Sequence, residues 1–146
     1  MGPVGEQKTK PTQHTVKELR GLGITPDILV CRSSAPLTKE TREKLAAFCH
    51  VSPEAVMSTH DVPNIYHVPL MLEEQGLCDI MNLDCQATDL LNNWKIMAHH
   101  LDTLTDEVQI AMVGKYTDLS DAYLSVIKSL QHAAMAVDHK LTINCY

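Results

Sequence analysis

The chain has 146 residues, 45% of them hydrophobic, and a formal net charge of −6. That is enough apolar material for a sizeable packed core, and it argues against a disordered chain. The acidic balance gives no electrostatic basis for a nucleic-acid or acidic-membrane partner, and no apolar run approaches the roughly 18 to 20 residues of a membrane span.

The first residues, Met1-Gly2-Pro3-Val4-Gly5-Glu6-Gln7-Lys8, lack the apolar core of a signal peptide, so a cytoplasmic protein is expected. Residues 2–13 show no hydrophobic period and read as a loop. Thr15, followed three residues later by Glu18, has the spacing of a capping box and predicts a helix start. Val16, Leu19 and Leu22 give that helix one apolar face, and Gly21 and Gly23 end it. The continuously apolar run 28–31 predicts a buried parallel strand. A second helix is expected over 38–48, with Leu45 and Phe48 turned inward and Lys39, Arg42 and Lys44 open to solvent or ligand. A strand at 56–58 runs into the polar loop 59–63, and a helical pattern from Ile65 lasts until Gly76.

Strands alternating with helices imply a mostly parallel α/β sheet. Between Cys78 and Thr105 the pattern changes to one amphipathic helix carrying Leu90, Leu91, Trp94, Met97 and Leu101, as suits an interdomain connector. A new unit follows: a strand at 108–113, a turn at Gly114-Lys115, a long helix over 121–138, then a strand at 141–143. Its helical stripe is Ala122, Tyr123, Val126, Ile127, Leu130, Ala134 and Val137. A lone βαβ unit cannot bury both faces of its strands, so the sequence reads as cut short.

Five cysteines, an odd number without a CxxC pair, and eight scattered histidines lack the closely paired ligands of a structural zinc site. Reduced thiols and no metal are expected. The stretch 8–15 concentrates two lysines, three hydroxyls and an amide before a predicted helix N-terminus. Free backbone N–H groups, the helix dipole and lysine charge all favour an anion there, so it is a candidate di- or triphosphate site. A solvated polar loop is the plainer reading. Arg32 and His60-Asp61-Val62 follow predicted strands, and parallel sheets bind ligands at the carboxyl ends of their strands. Taken singly, Arg32 is also explained by a surface ion pair, Asp61 by a turn before Pro63, and Lys44 by solvation. No GxSxG elbow or GxxxxGK[ST] loop occurs.

Several segments carry a resemblance to the CTP synthases. The stretch 5–13, GEQKTKPTQ, is similar to that family's late synthetase-domain signature. So are 18–23 (ELRGLG), 26–32 (PDILVCR), 48–51 (FCHV) and His60-Asp61-Val62 through Tyr66. Val113-Gly114-Lys115-Tyr116, Asp121-Ala122-Tyr123 and Ser125-Val126-Ile127 resemble the start of its glutaminase domain, while the connector matches loosely.

The resemblance implies a ligase in which ATP phosphorylates the 4-oxygen of UTP and ammonia from glutamine displaces the phosphate, giving CTP. It implies UTP or CTP contacts from Lys8, Thr9, Lys10, Pro11, Thr12, Gln13 and Lys44. ATP contacts are implied for Arg32, His60, Asp61 and Val62. It further implies three parts: 1–77, the C-terminal part of a Rossmann-like synthetase domain; 78–106, a linker; 107–146, the first βαβ of a flavodoxin-like glutaminase domain. The family's ATP phosphate loop and Mg2+ carboxylates would precede residue 1, and its glutaminase triad would follow Tyr146. No cysteine here is therefore expected to be the nucleophile, and the segment alone is expected to be inactive. A homotetramer, extending into filaments, is the implied assembly. The competing reading is a non-catalytic regulatory or assembly paralogue that keeps only the nucleotide loop and the subunit contacts.

Overall fold

Two parallel strand pairs organise the chain, in a computed structural model that describes residues 7–83 and 89–146. The elements are mixed α/β and divide into two compact units, Met1–Asn92 and Asn93–Tyr146. Among the described residues no helix is long and apolar enough to cross a membrane.

In the first unit, helix α1 (Lys10–Gly21) leads to strand β1 (Leu29–Ser33), and helix α2 (Lys39–Cys49) leads through a short 3-10 turn to strand β2 (Val56–His60). Helices α3 (His67–Glu74) and α4 (Leu77–Ile80) follow. The strands pair in parallel, from Leu29 opposite Val56 to Ser33 opposite His60. The core joins Val16 of α1, Leu29 of β1, Leu45, Ala46 and Cys49 of α2, and Val56 of β2. Met57, fully buried, and Leu70 of α3 mark a second apolar layer of this unit.

Three expectations change here. Helix α1 begins at Lys10 with Thr9 as its N-cap, six residues earlier than the capping-box reading, and has Pro11 in its first turn. Proline is suited to that position because its missing N–H has no partner there in any helix and its φ is already helical. Thr15 lies inside the helix and its hydroxyl donates to the Pro11 carbonyl, 3.0 Å away. Phe48 is 61% exposed, because the 3.6-residue period that buries Leu45 turns Ala46 and Cys49 inward and leaves Phe48 at the edge. Finally β1 is buried on one face only: Leu29 is covered, whereas Val30 and Arg32 are exposed.

Thr38 caps α2 by accepting the Thr41 N–H at 3.2 Å, and Glu40 in the first turn is held below the usual carboxylate range by its backbone N–H and the Thr38 hydroxyl. Thr38→Ala should lower stability by about 1 kcal/mol, and Thr38→Ser should restore most of it. Denaturation midpoints of the two variants test this; an unchanged alanine midpoint would remove the cap from the account.

The outer edge of β2 is closed by a side chain. Gln75, at the C-cap of α3, takes the Ser58 N–H on Oε1 (2.8 Å) and donates Nε2 to the Ser58 carbonyl (2.9 Å). Its amide thus pairs with the strand as another strand's peptide group would. The same Nε2 donates to the Met71 carbonyl (2.8 Å), and Arg42 donates to Oε1 (3.4 Å).

Helix α5 (Asp89–Thr103) falls where the amphipathic pattern predicts one, with Leu91, Met97 and Leu101 half-buried and Trp94 more open. The second unit continues with strand β3 (Glu107–Met112), a 3-10 turn, helix α6 (Leu124–Ala136) and strand β4 (Lys140–Cys145). Strands β3 and β4 are parallel along their whole length, as the βαβ reading requires. In α6 the buried residue is Ala134, while Val126, and Val137 at the C-cap, are exposed. Gly114 is needed where it stands: a Cβ there would lie 2.6 Å from the Tyr123 hydroxyl, which donates to the Lys115 carbonyl. This is a turn packed on a tyrosine. Cys31, Cys49 and Cys145 are free thiols, but Cys78 is disulfide-bonded, so the all-reduced expectation fails there.

Candidate functional site

Two concavities in the first unit gather most of the residues singled out from the sequence. The first lies at the carboxyl ends of β1 and β2, has a volume of about 540 Å³, and is lined by Arg32, His60, Asp61 and Val62 together. All four expected residues meet there. Arg32 proves to be inside β1, and His60 is the last residue of β2. The Asp61 N–H donates to the Ser33 carbonyl (3.1 Å), which holds the aspartate against the end of β1.

Arg32 Nη2 donates to Asp61 Oδ1 at 2.9 Å, with the two side chains 82% and 56% exposed. An ion pair so open to water contributes at most about 1 kcal/mol, so either partner turns to a ligand at little cost. His60 Nδ1 is buried without a hydrogen-bond partner among the described residues. Such an atom costs about 1–3 kcal/mol until something bonds it. The remaining lining is largely apolar: Val30 on β1, and Ile65, Val68 and Leu72 on and before α3, with Thr59 on β2. The arrangement gathers apolar side chains with a guanidinium, a carboxylate and an imidazole in one concavity. That composition suits a nitrogen heterocycle.

The apolar lining was missed in the sequence although two periods carry it. Val30 and Arg32 are two apart, so they share one strand face. Ile65, Val68 and Leu72 follow the helical i, i+3, i+7 spacing.

The second concavity, about 530 Å³, runs beside α1 and contains Lys10 and Gln13 of the expected phosphate stretch. His14, Val16, Lys17 and Arg20 continue along the same helix face, and Phe48 of α2 forms the opposite side. Lys8, Thr9, Pro11, Thr12 and Lys44 do not line it. Thr9 is buried and accepts the Gln13 side-chain amide at 3.0 Å, so its role is to hold Gln13. Lys44 is exposed and lies one turn before Phe48, hence on the same side of α2. Gln7 bonds the Thr38 N–H (3.0 Å) and the Pro36 carbonyl (2.8 Å), which ties the residue before Lys8 to the start of α2.

The earlier start of α1 sharpens the electrostatics. Lys8 and Lys10 flank its N-terminal turn, which holds no acidic residue. Cations at the positive end of a helix dipole are disfavoured by about 0.3–1 kcal/mol. An anion bound there would reverse that sign. Burial pushes the Cys31 and Cys49 thiols above their usual range, the opposite of what a nucleophile needs.

Residues 1–86 match the family model described as "CTP synthase N-terminus". Over 145 residues, 95% of this chain, the sequence is 53% identical to "CTP synthase 1" of Homo sapiens, covering 24% of that protein. It is 52% identical to "CTP synthase 2" of Rattus norvegicus, covering 95% of this chain and 25% of the relative. The match to "CTP synthase" of Dictyostelium discoideum is 46% over 163 residues, 99% of this chain and 29% of the relative. The chain therefore spans about a quarter of the length of these relatives.

Proposed function

The chain belongs to the CTP synthase family, and from that membership we propose that it is part of an enzyme that aminates UTP to CTP, using ATP and ammonia released from glutamine. In this reading residues 1–77 end a Rossmann-like synthetase domain, 78–106 link, and 107–146 begin a flavodoxin-like glutaminase domain. The ATP phosphate loop, the Mg2+ carboxylates and the glutaminase triad belong to other parts of the enzyme, so this stretch alone is inactive. The enzyme is a cytoplasmic homotetramer.

The observation that carries the reading is the meeting of Arg32, His60, Asp61 and Val62 in one concavity with an apolar floor. This is the ATP adenine site. The ring lies against Val30, Val68 and Leu72, with Arg32 beside it, and Asp61 and His60 address its polar edge. The pyrimidine nucleotide, UTP as substrate or CTP as inhibitor, takes the Lys8–Gln13 stretch and Lys44. Its phosphates neutralise the crowded N-terminal turn of α1. Separate places for the two nucleotides suit a reaction in which ATP and UTP are bound together.

Arg32→Ala and Asp61→Ala in the complete enzyme should each raise the ATP requirement roughly 10-fold, about 1.4 kcal/mol, and leave that for UTP nearly unchanged. Apparent affinities for both nucleotides, measured with ammonia as nitrogen donor, test the assignment. Equal losses for ATP and UTP would remove the adenine site from this concavity.

A further inference from the structure

The strand-end concavity is bounded on one side by β1 and β2 and on the other by α3. The bond that holds those two sides together comes from a residue outside the lining, Gln75. Its side-chain amide has two donor hydrogens and two acceptor lone pairs. All four are engaged, by the Ser58 N–H and Arg42 on the oxygen, and by the Ser58 and Met71 carbonyls on the nitrogen. The reversed orientation would set NH2 against the Ser58 N–H and oxygen against two carbonyl oxygens. The partners therefore fix the sense of the amide.

Position gives this clamp its leverage. Ser58 lies two residues before His60 and three before Asp61, while Gln75 follows Leu72 by three residues. Helix α3 is joined to β2 at its start through the backbone of residues 61–66, and at its end through Gln75. Ser58 also accepts the Leu37 N–H on its hydroxyl at 3.1 Å, so the strand side of the clamp is itself anchored to the approach to α2. A flat ring between two walls is sensitive to their spacing, since a gap of about 0.5–1 Å forfeits a quarter to a half of the contact attraction.

Resting on the adenine-site reading above, we infer that Gln75 is a positioning residue that sets the spacing of α3 from β2 and thereby the fit of the adenine ring. It touches no ligand. Its effect reaches the nucleotide through Ser58 and the strand end on one side, and through Leu72 and Val68 on the other.

The test uses the complete enzyme with ammonia as nitrogen donor. Gln75→Met keeps the length of the side chain and removes all four hydrogen bonds; Gln75→Asn keeps the amide but is one methylene shorter. The methionine variant should raise the KM for ATP roughly tenfold, equivalent to about 1.4 kcal/mol, with the KM for UTP within about twofold of wild type. The asparagine variant should show a smaller rise in the same constant. A purely structural role would lower the yield of folded enzyme and its kcat and leave the KM for ATP alone, and that result would overturn the inference. Arg32→Ala runs in parallel. If it raises the KM for ATP and neither Gln75 variant does, the positioning role alone falls. If none of the three moves it, the adenine-site reading falls and takes the inference with it.

Discussion

Alanine at Lys8 or Lys44 should raise the UTP requirement of the complete enzyme roughly 10- to 100-fold. A charge-assisted contact to phosphate contributes about 1.5–3 kcal/mol, and each factor of ten corresponds to about 1.4 kcal/mol. Among the described residues no ion pair is formed by either lysine, although Lys39 pairs with Glu43 at 3.8 Å on the same helix as Lys44. Lys8 stands just before a helix N-terminus that holds Lys10 and no acid. Cations gathered where the helix dipole is already positive do not serve stability, and they suit the binding of an anion. Inhibition by CTP should weaken in parallel if both nucleotides share one triphosphate position. Ammonia-dependent assays bypass glutamine hydrolysis and isolate the effect. Unchanged UTP dependence in both variants would mean that the lysines are merely solvated.

Met57→Ala should cost about 2–5 kcal/mol of stability, the usual range for emptying a fully buried aliphatic position. Met57 has no exposed surface and lies in β2, between the fully buried Val56 and the Gln75-bonded Ser58. The strand leaves little room for collapse, so the cavity should persist. Phe48→Ala provides the contrast, since a side chain that is 61% exposed removes little buried area. Its stability loss should stay below about 1 kcal/mol. Denaturation midpoints of both variants decide the matter, and a Met57 loss as small as that of Phe48 would mean that the layer around β2 is loosely packed.

How much of this was legible in the sequence depended on which force set each feature. Alternation of strands and helices was readable because hydrophobic periodicity is a local property: both parallel pairs and the amphipathic helix α5 fell where the apolar pattern put them. The start of α1 was misread because Thr15-x-x-Glu18 imitates a cap, while Pro11, which reads as a loop residue, is equally at home in a first helical turn. Phe48 was misassigned because a large aromatic is weighted toward the core, whereas its position in the turn decided its exposure. For the site, residue chemistry marked Arg32, His60, Asp61 and Val62 at two strand ends, and the parallel register brought them together. The apolar lining escaped notice because Val30, Val68 and Leu72 look like any core residue until a sheet face is left open. Gln75 carried no signal at all. A lone glutamine before a glycine gives no hint that its amide will meet Ser58, 17 residues earlier.

The Gln75 clamp also gives the strand pair a direction of growth. The outer edge of β2 already has its Ser58 N–H and carbonyl taken, so a newcomer on that side would have to expel a fully satisfied amide. The outer edge of β1 has no such plug among the described residues. A strand added beside β2 would meet this plug at Ser58, whereas one added beside β1 would not. The same plug denies neighbouring molecules a template for edge-to-edge pairing there. One uncharged side chain thus does for β2 what lysines, prolines and bulges do at other sheet margins.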